Sequence, residues 1–167
     1  MGTTRPLDTA ERVLYVINEI GFFYVDRPQV CTVMALSHDS LHAALAPDKL
    51  NFKKLLDAAR LAACIAEING ETPDLEQKIA DSMYLAGVMG AGYEVFEFKP
   101  TRRPTAQEMC DVVGFYDSST FMAFFKRLVG LSWTDFWKTV SDSSHDNSAS
   151  LHPGDAVISW RWQHEQA

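Results

Sequence analysis

The stretch 109–138, MCDVVGFYDSSTFMAFFKRLVGLSWTDFWK, constrains the fold more than any other part of the chain. Met109, Val112 and Val113 form a short apolar helical face. Gly114 follows, where a chain leaving a helix can take a positive φ at little cost. Asp117, Ser118 and Ser119 offer side-chain oxygens to the start of a new helix. Phe121, Phe124, Phe125 and Leu128 recur at three- and four-residue spacing, which predicts one buried stripe. Gly130 ends that helix, Ser132 or Thr134 caps the next, and Trp133, Phe136 and Trp137 are its apolar residues. Two short helices joined by a glycine-containing turn make a helix-turn-helix pattern.

The pattern occurs a second time, earlier in the chain. Pro28 suits a first helical turn, and Val30, Cys31, Val33 and Met34 are its candidate buried face. Ser37 caps a following helix whose apolar residues are Leu41, Ala44 and Leu45. Cys31 corresponds to Cys110 at an offset of 79, and Leu41 and Leu45 to Phe121 and Phe125 at 80. Leu50, Phe52 and Leu55 correspond to Leu131, Trp133 and Phe136 at 81. Single-residue insertions in two turns account for the drift, and turns tolerate insertions.

Around these units the chain reads as mostly helical. Asp8 and Glu11 signal a helix start, and Val13, Leu14, Ile17 and Ile20 carry the helix over about 8–20 to Gly21. Phe22, Phe23 and Tyr24 form an apolar connector. A long helix is expected over 51–68, with Phe52, Leu55, Leu56, Ala59, Ala63 and Ile65 as apolar positions and Asn69-Gly70 as its end. Thr72-Pro73-Asp74 starts another helix to about Ala86, with Leu75, Ile79, Met83 and Tyr84 as its stripe. Gly87, Gly90 and Gly92 form a bend before the strand-like run 93–98. Residues 141–150 read as a polar linker, and 156–162 has strand composition and is expected to pair with 93–98.

The stretch 109–138 resembles the second helix-turn-helix of the AraC/XylS family of bacterial transcription regulators. That family's signature is an Ile-Ala pair, a Gly-Phe, a Ser-x-Phe, a Phe-Lys and a closing Gly. Here those positions hold Met109-Cys110, Gly114-Phe115, Ser119-Thr120-Phe121, Phe125-Lys126 and Gly130. Trp133 stands where the family usually has Pro, and Ala123 where a basic residue is common. The earlier unit is similar to the family's first, in which a Ser opens the recognition helix and a Leu follows four residues on: Ser37 and Leu41. The linker helix carries Ala59-Arg60-Leu61 and then Cys64 on the family's Ala-Arg-Leu-x-x-Ala pattern. All three cysteines fall on usual Ala positions, as small buried contact residues.

The resemblance implies a mainly α fold with two helix-turn-helix subdomains joined by a long helix. The segments are then 8–68 for the first subdomain and linker helix, 69–104 for an insertion, 105–140 for the second subdomain, and 141–167 for the polar linker and C-terminal strand. The insert and tail supply a small two-stranded β element.

The implied function is a sequence-specific DNA-binding transcription regulator without a separate effector domain. The DNA-facing residues are then Ser37, His38, Asp39, His42 and Lys53 in the first unit, and Ser118, Ser119, Thr120, Met122, Lys126 and Arg127 in the second. Lys54, Arg102 and Arg103 are further candidates for the phosphate backbone. Implied partners are double-stranded DNA, RNA polymerase or another regulator, and a second copy of the chain.

The net charge of −7 pulls against DNA binding, since phosphate neutralisation carries much of such affinity. Residues 67–99 hold seven acidic and two basic side chains, so the excess sits mainly in the insert. The competing reading is therefore a protein-interaction or dimerisation module that keeps the fold without DNA binding. No GxSxG, phosphate loop or CxxC occurs, so neither an enzyme nor a cofactor is expected. His38 and His42 have metal-like spacing without an evident third ligand, so no metal is expected. No apolar run approaches the ~20 residues that span a bilayer, and no secretory leader is evident, so a cytoplasmic protein is expected.

Overall fold

A computed structural model describes residues 7–88, 93–146 and 158–163. The described residues are mainly helical. Helix α1, Thr9–Ile20, starts at Asp8, whose carboxylate accepts the Glu11 N–H at 2.9 Å. Helices α2, Arg27–Met34, and α3, His38–Leu45, follow, then a 3-10 turn over Ala46–Asp48. Helix α4, Phe52–Asn69, is the longest. Helix α5, Leu75–Val88, precedes strand β1, Tyr93–Phe98. Helices α6, Ala106–Val113, α7, Ser118–Val129, and α8, Trp133–Asp146, come next, and strand β2, Ile158–Gln163, lies last. The strands run antiparallel, with Tyr93 opposite Gln163 and Phe98 opposite Ile158.

The sequence repeat has a structural counterpart in how its helices start and stop. Helices α2 and α6 both have eight residues, and both open with a capping box, Asp26 with Gln29 and Thr105 with Glu108. Both close on a left-handed residue, Ala35 at φ 54° and Gly114 at φ 83°. In each, the next N–H returns to the cysteine carbonyl: Leu36 to Cys31 at 2.9 Å and Phe115 to Cys110 at 3.0 Å. Ser37 then caps α3 and Asp117 caps α7. Asn51 caps α4 by accepting the Lys54 N–H, and Ser132 stands at the same place before α8, accepting the Asp135 N–H at 3.1 Å.

Burial follows the same grammar. Cys31, Leu41, Leu45 and Leu55 are buried in the first copy, and Cys110, Phe121, Phe125 and Phe136 in the second. Aromatics fill the second copy: the Trp133 ring lies 5.0 Å from both Phe121 and Phe125, edge to face. The Trp that departs from the family's Pro is thus a core residue, only 6% exposed. One continuous cluster of buried side chains runs through both copies. Helix α4 packs against α1, α5, α6 and β1, which is why it buries Leu55, Ala58, Leu61, Cys64 and Ile68 rather than a single stripe.

Several local expectations change. Val33 is 58% exposed and Ala44 is exposed, because Val30 and Cys31, with the half-buried Met34, turn α2 inward, and Leu41 and Leu45 turn α3 inward. In α5 the buried residues are Ile79, Ser82, Leu85 and Ala86, while Leu75 and Tyr84 face solvent. The polar run expected as a linker from residue 141 is helical through Asp146. Gly90, Gly92, residues 147–150 and the start of the expected C-terminal strand, 156–157, lie outside the described residues.

The segment 69–104 leaves and returns at one place. Gly70 ends α4 in the left-handed region, the Thr101 N–H donates to the Ile68 carbonyl at 3.2 Å, and the Lys99 N–H donates to Asn69 Oδ1 at 2.6 Å. A methyl group at Gly70 would meet Thr101 Oγ1 at 2.5 Å, the end of a rotatable side chain. At Gly114 it would meet Phe22 Cβ at 2.3 Å and the Phe22 carbonyl carbon at 2.7 Å, which cannot swing aside. Gly70→Ala is therefore expected to cost about 1 kcal/mol, and Gly114→Ala about 2–4 kcal/mol, read as urea unfolding free energies. Equal losses would refute the close packing at Gly114.

Candidate nucleic-acid interface

The two candidate reading surfaces are the outer faces of α3 and α7, each fixed by buried residues on its inner face. On α3, Leu41 and Leu45 point inward, which leaves His38, Asp39 and His42 exposed. Ser37 spends its oxygen on the helix start, accepting the Ser40 N–H at 3.0 Å. Lys53 is exposed at the start of α4. Lys54 donates from Nζ to the Lys49 carbonyl at 3.3 Å.

On α7, Phe121, Phe124, Phe125 and Leu128 form the buried stripe. Ser119, Thr120, Met122 and Lys126 are exposed, and Ser118 is half-buried. Asp117 Oδ1 accepts both the Thr120 N–H at 2.7 Å and its hydroxyl at 2.8 Å. These hydrogen bonds hold the Asp117 carboxyl below the ordinary carboxylate range. The Thr120 hydroxyl is thus engaged in the cap rather than turned outward.

Arg127 differs from the role expected of it. Its guanidinium donates to both oxygens of Asp57, at 2.9 and 3.1 Å, and lies 5.9 Å from the Phe124 ring. Asp57 is only 8% exposed. The pairing raises the Arg127 pKa above its ordinary value. Arg127 therefore ties α7 to α4, with its side chain still 49% exposed. Arg102 is similarly engaged, bridging Glu67 at 2.7 Å and Glu108 at 2.9 Å. Arg103 lies 5.7 Å from the Trp137 ring.

Sequence reasoning missed Asp57 and the role of Arg60. Arg60 Nη2 donates to the Phe22 carbonyl at 3.0 Å, and its guanidinium lies 4.5 Å over the Phe115 ring. Burial pulls its pKa below the ordinary guanidinium value. It thus joins the turn after α1 to the turn between α6 and α7. Their signal was an Asp and an Arg three residues apart among Leu55, Ala58, Ala59 and Leu61, positions that stay costly unless paired.

Cys31, Cys64 and Cys110 are free and buried, and burial pushes the Cys64 and Cys110 thiols up, away from the reactive thiolate. Among the described residues no three His, Cys, Asp or Glu side chains are placed to hold a metal, and no helix is long and apolar enough to cross a membrane.

No protein family, curated protein or solved structure was found to match the chain.

Two outcomes test the electrostatics. The Asp117 carboxyl is depressed on folding, so its contribution is present above the unfolded value near 3.8 and is lost as pH falls through the lower folded value. Asp117→Ser keeps a capping oxygen without a titrating group. Its unfolding free energy should fall less steeply than wild type between about pH 5 and about pH 2, and parallel curves would refute this. Asp57→Ala should cost about 1–3 kcal/mol, less than a fully buried pair because the Arg127 side chain is 49% exposed. Urea titration measures it, and an unchanged midpoint would remove the pair from the stabilising contacts.

Proposed function

We propose that this chain is a sequence-specific DNA-binding transcription regulator whose double helix-turn-helix resembles that of the AraC/XylS family. One observation carries the reading. The succession of capping box, left-handed turn, capped second helix and capped third helix occurs twice, at offsets of 79 to 81 residues. On this reading α3 and α7 are recognition helices. Helix α4 serves both units, as third helix of the first and as a packing partner of α6 in the second. The insert closes on itself at Gly70 and Thr101, which supports equating the rest of the fold with a family whose connection there is short. The two strands are then a small β element beside the second unit, held where the buried Phe98 ring meets Phe136 at 4.8 Å.

The chemistry of such a surface is specific but weakly adhesive. Asp39 can accept from a cytosine amino group, Met122 can meet a thymine methyl, and Ser119, His38 and His42 can hydrogen-bond to base edges. Lys53, at the start of α4, and Lys126, on α7, are exposed cations, and on this reading they take the phosphates. Few phosphate contacts imply a shallow salt dependence, at about 0.9 per phosphate in the logarithmic slope.

The test is titration of genomic DNA fragments at low and at physiological salt. Binding that weakens with salt is expected. Lys126→Ala should weaken it similarly for all sequences and reduce the slope by about 1. Absence of binding at low salt overturns the proposal in favour of an interaction module. That second reading is favoured by the engagement of Arg127 and Arg102 in internal ion pairs and by the exposure of Tyr24 and Tyr116, 71% and 77%.

A further inference from the structure

We propose that the cleft between α4 and α5 is a binding site for a small primary ammonium compound with a compact apolar body. This inference is independent of DNA binding. The cleft encloses about 290 Å³, near the lower end of small-molecule sites. Its floor is one face of α4, where Ala59, Ala62, Ala63 and Ala66 follow at helical spacing. Phe22 and Val112 add apolar surface from two further elements. Helices α4 and α5 remain packed against each other, so the space comes from short side chains rather than from separated helices.

The polar lining selects the ligand. Ser82 is 1% exposed and lines the cleft, and its hydroxyl already donates to the Lys78 carbonyl at 2.7 Å. Its lone pairs remain as acceptors. Asn18 spends Nδ2 on the Leu14 carbonyl at 2.9 Å, leaving its amide oxygen. Asp81 accepts from Gln77 through Oδ1 at 2.8 Å, leaving Oδ2. Glu67 is held by Arg102, and Glu71 has no ion-pair partner among the described residues. Ser82 and Asn18 thus turn acceptor lone pairs to the cleft, Asp81 and Glu71 keep open carboxylate oxygens, and the exposed Lys78 is the one cation of the lining. A ligand that brings N–H donors and positive charge meets this surface. A carboxylate would meet Glu71 and Asp81.

Titration of the full chain with n-hexylammonium, hexanol and hexanoate tests the assignment, followed by residue-resolved amide NMR. Hexylammonium should give saturable shifts at Ala62, Ala63 and Ser82, about tenfold tighter than hexanol, with no saturation by hexanoate. Ala63→Leu should fill the floor and abolish the response. Asp81→Asn should weaken hexylammonium binding without changing that of hexanol, which keeps the claim decidable if the leucine variant does not fold. Equal affinity for hexanol, full binding by Asp81→Asn, an undiminished response in Ala63→Leu, or no saturable shift in wild type would each overturn it.

Discussion

The arrangement depends on how closely other elements can approach α4. That helix packs on α1, α5, α6 and β1, so it needs small side chains on more than one side. Ala58, Ala59, Cys64 and Ala66 supply them, and Leu55, Leu61 and Ile68 fill what remains. That helix also carries charge on its partly buried sides, and two of those residues, Asp57 and Arg60, serve as ties. Asp57 reaches α7 through Arg127, and Arg60 reaches the Phe22 and Phe115 turns. Leaving either charge unpaired in such surroundings would be more destabilising than the ties are stabilising.

The two stretches related by the sequence repeat do different physical work. Aliphatic residues pack the first, and a chain of edge-to-face aromatics packs the second, linking Phe121, Phe125, Trp133 and Phe136. Rings fix their neighbours' orientation more tightly than aliphatic chains do. The turn chemistry differs as well: Gly114 takes the left-handed position in the second copy, whereas Ala35 takes it in the first at some strain. Gly114 is required because Phe22 lies against it, and nothing packs on the exposed Ala35 in that way.

Local features were the ones legible in the sequence. The Phe121-to-Leu128 stripe, the Ser37 cap, Gly114, Gly130 and the buried cysteines depend on residues within a turn or two of each other. The face of α5 was not fully legible, because Leu75 and Tyr84 match the spacing as well as Ser82 and Ala86 do, and its packing against both α1 and α4 decides between them. The full length of α8 was missed because a Ser- and Asp-rich run has linker composition. Yet no Gly or Pro falls between Gly130 and Pro153 to stop the helix. The engagement of Arg127 was hidden for another reason: its partner is seventy positions away, and no periodicity reports such a pair. At the candidate interface the exposed positions of α3 and α7 followed from their buried stripes, whereas the loss of Arg127 and Thr120 to internal contacts did not.

The shared doorway of the 69–104 segment also bears on how the chain could change. Its entrance and exit are stitched together by the Ile68–Thr101 and Asn69–Lys99 hydrogen bonds, so growth between α5 and β1 would leave that seam in place, whereas trimming α5 or β1 would take Ile79, Leu85, Ala86 or Phe98 from the core. The excursion is a place where new surface can be tried while the paired helical units keep their spacing.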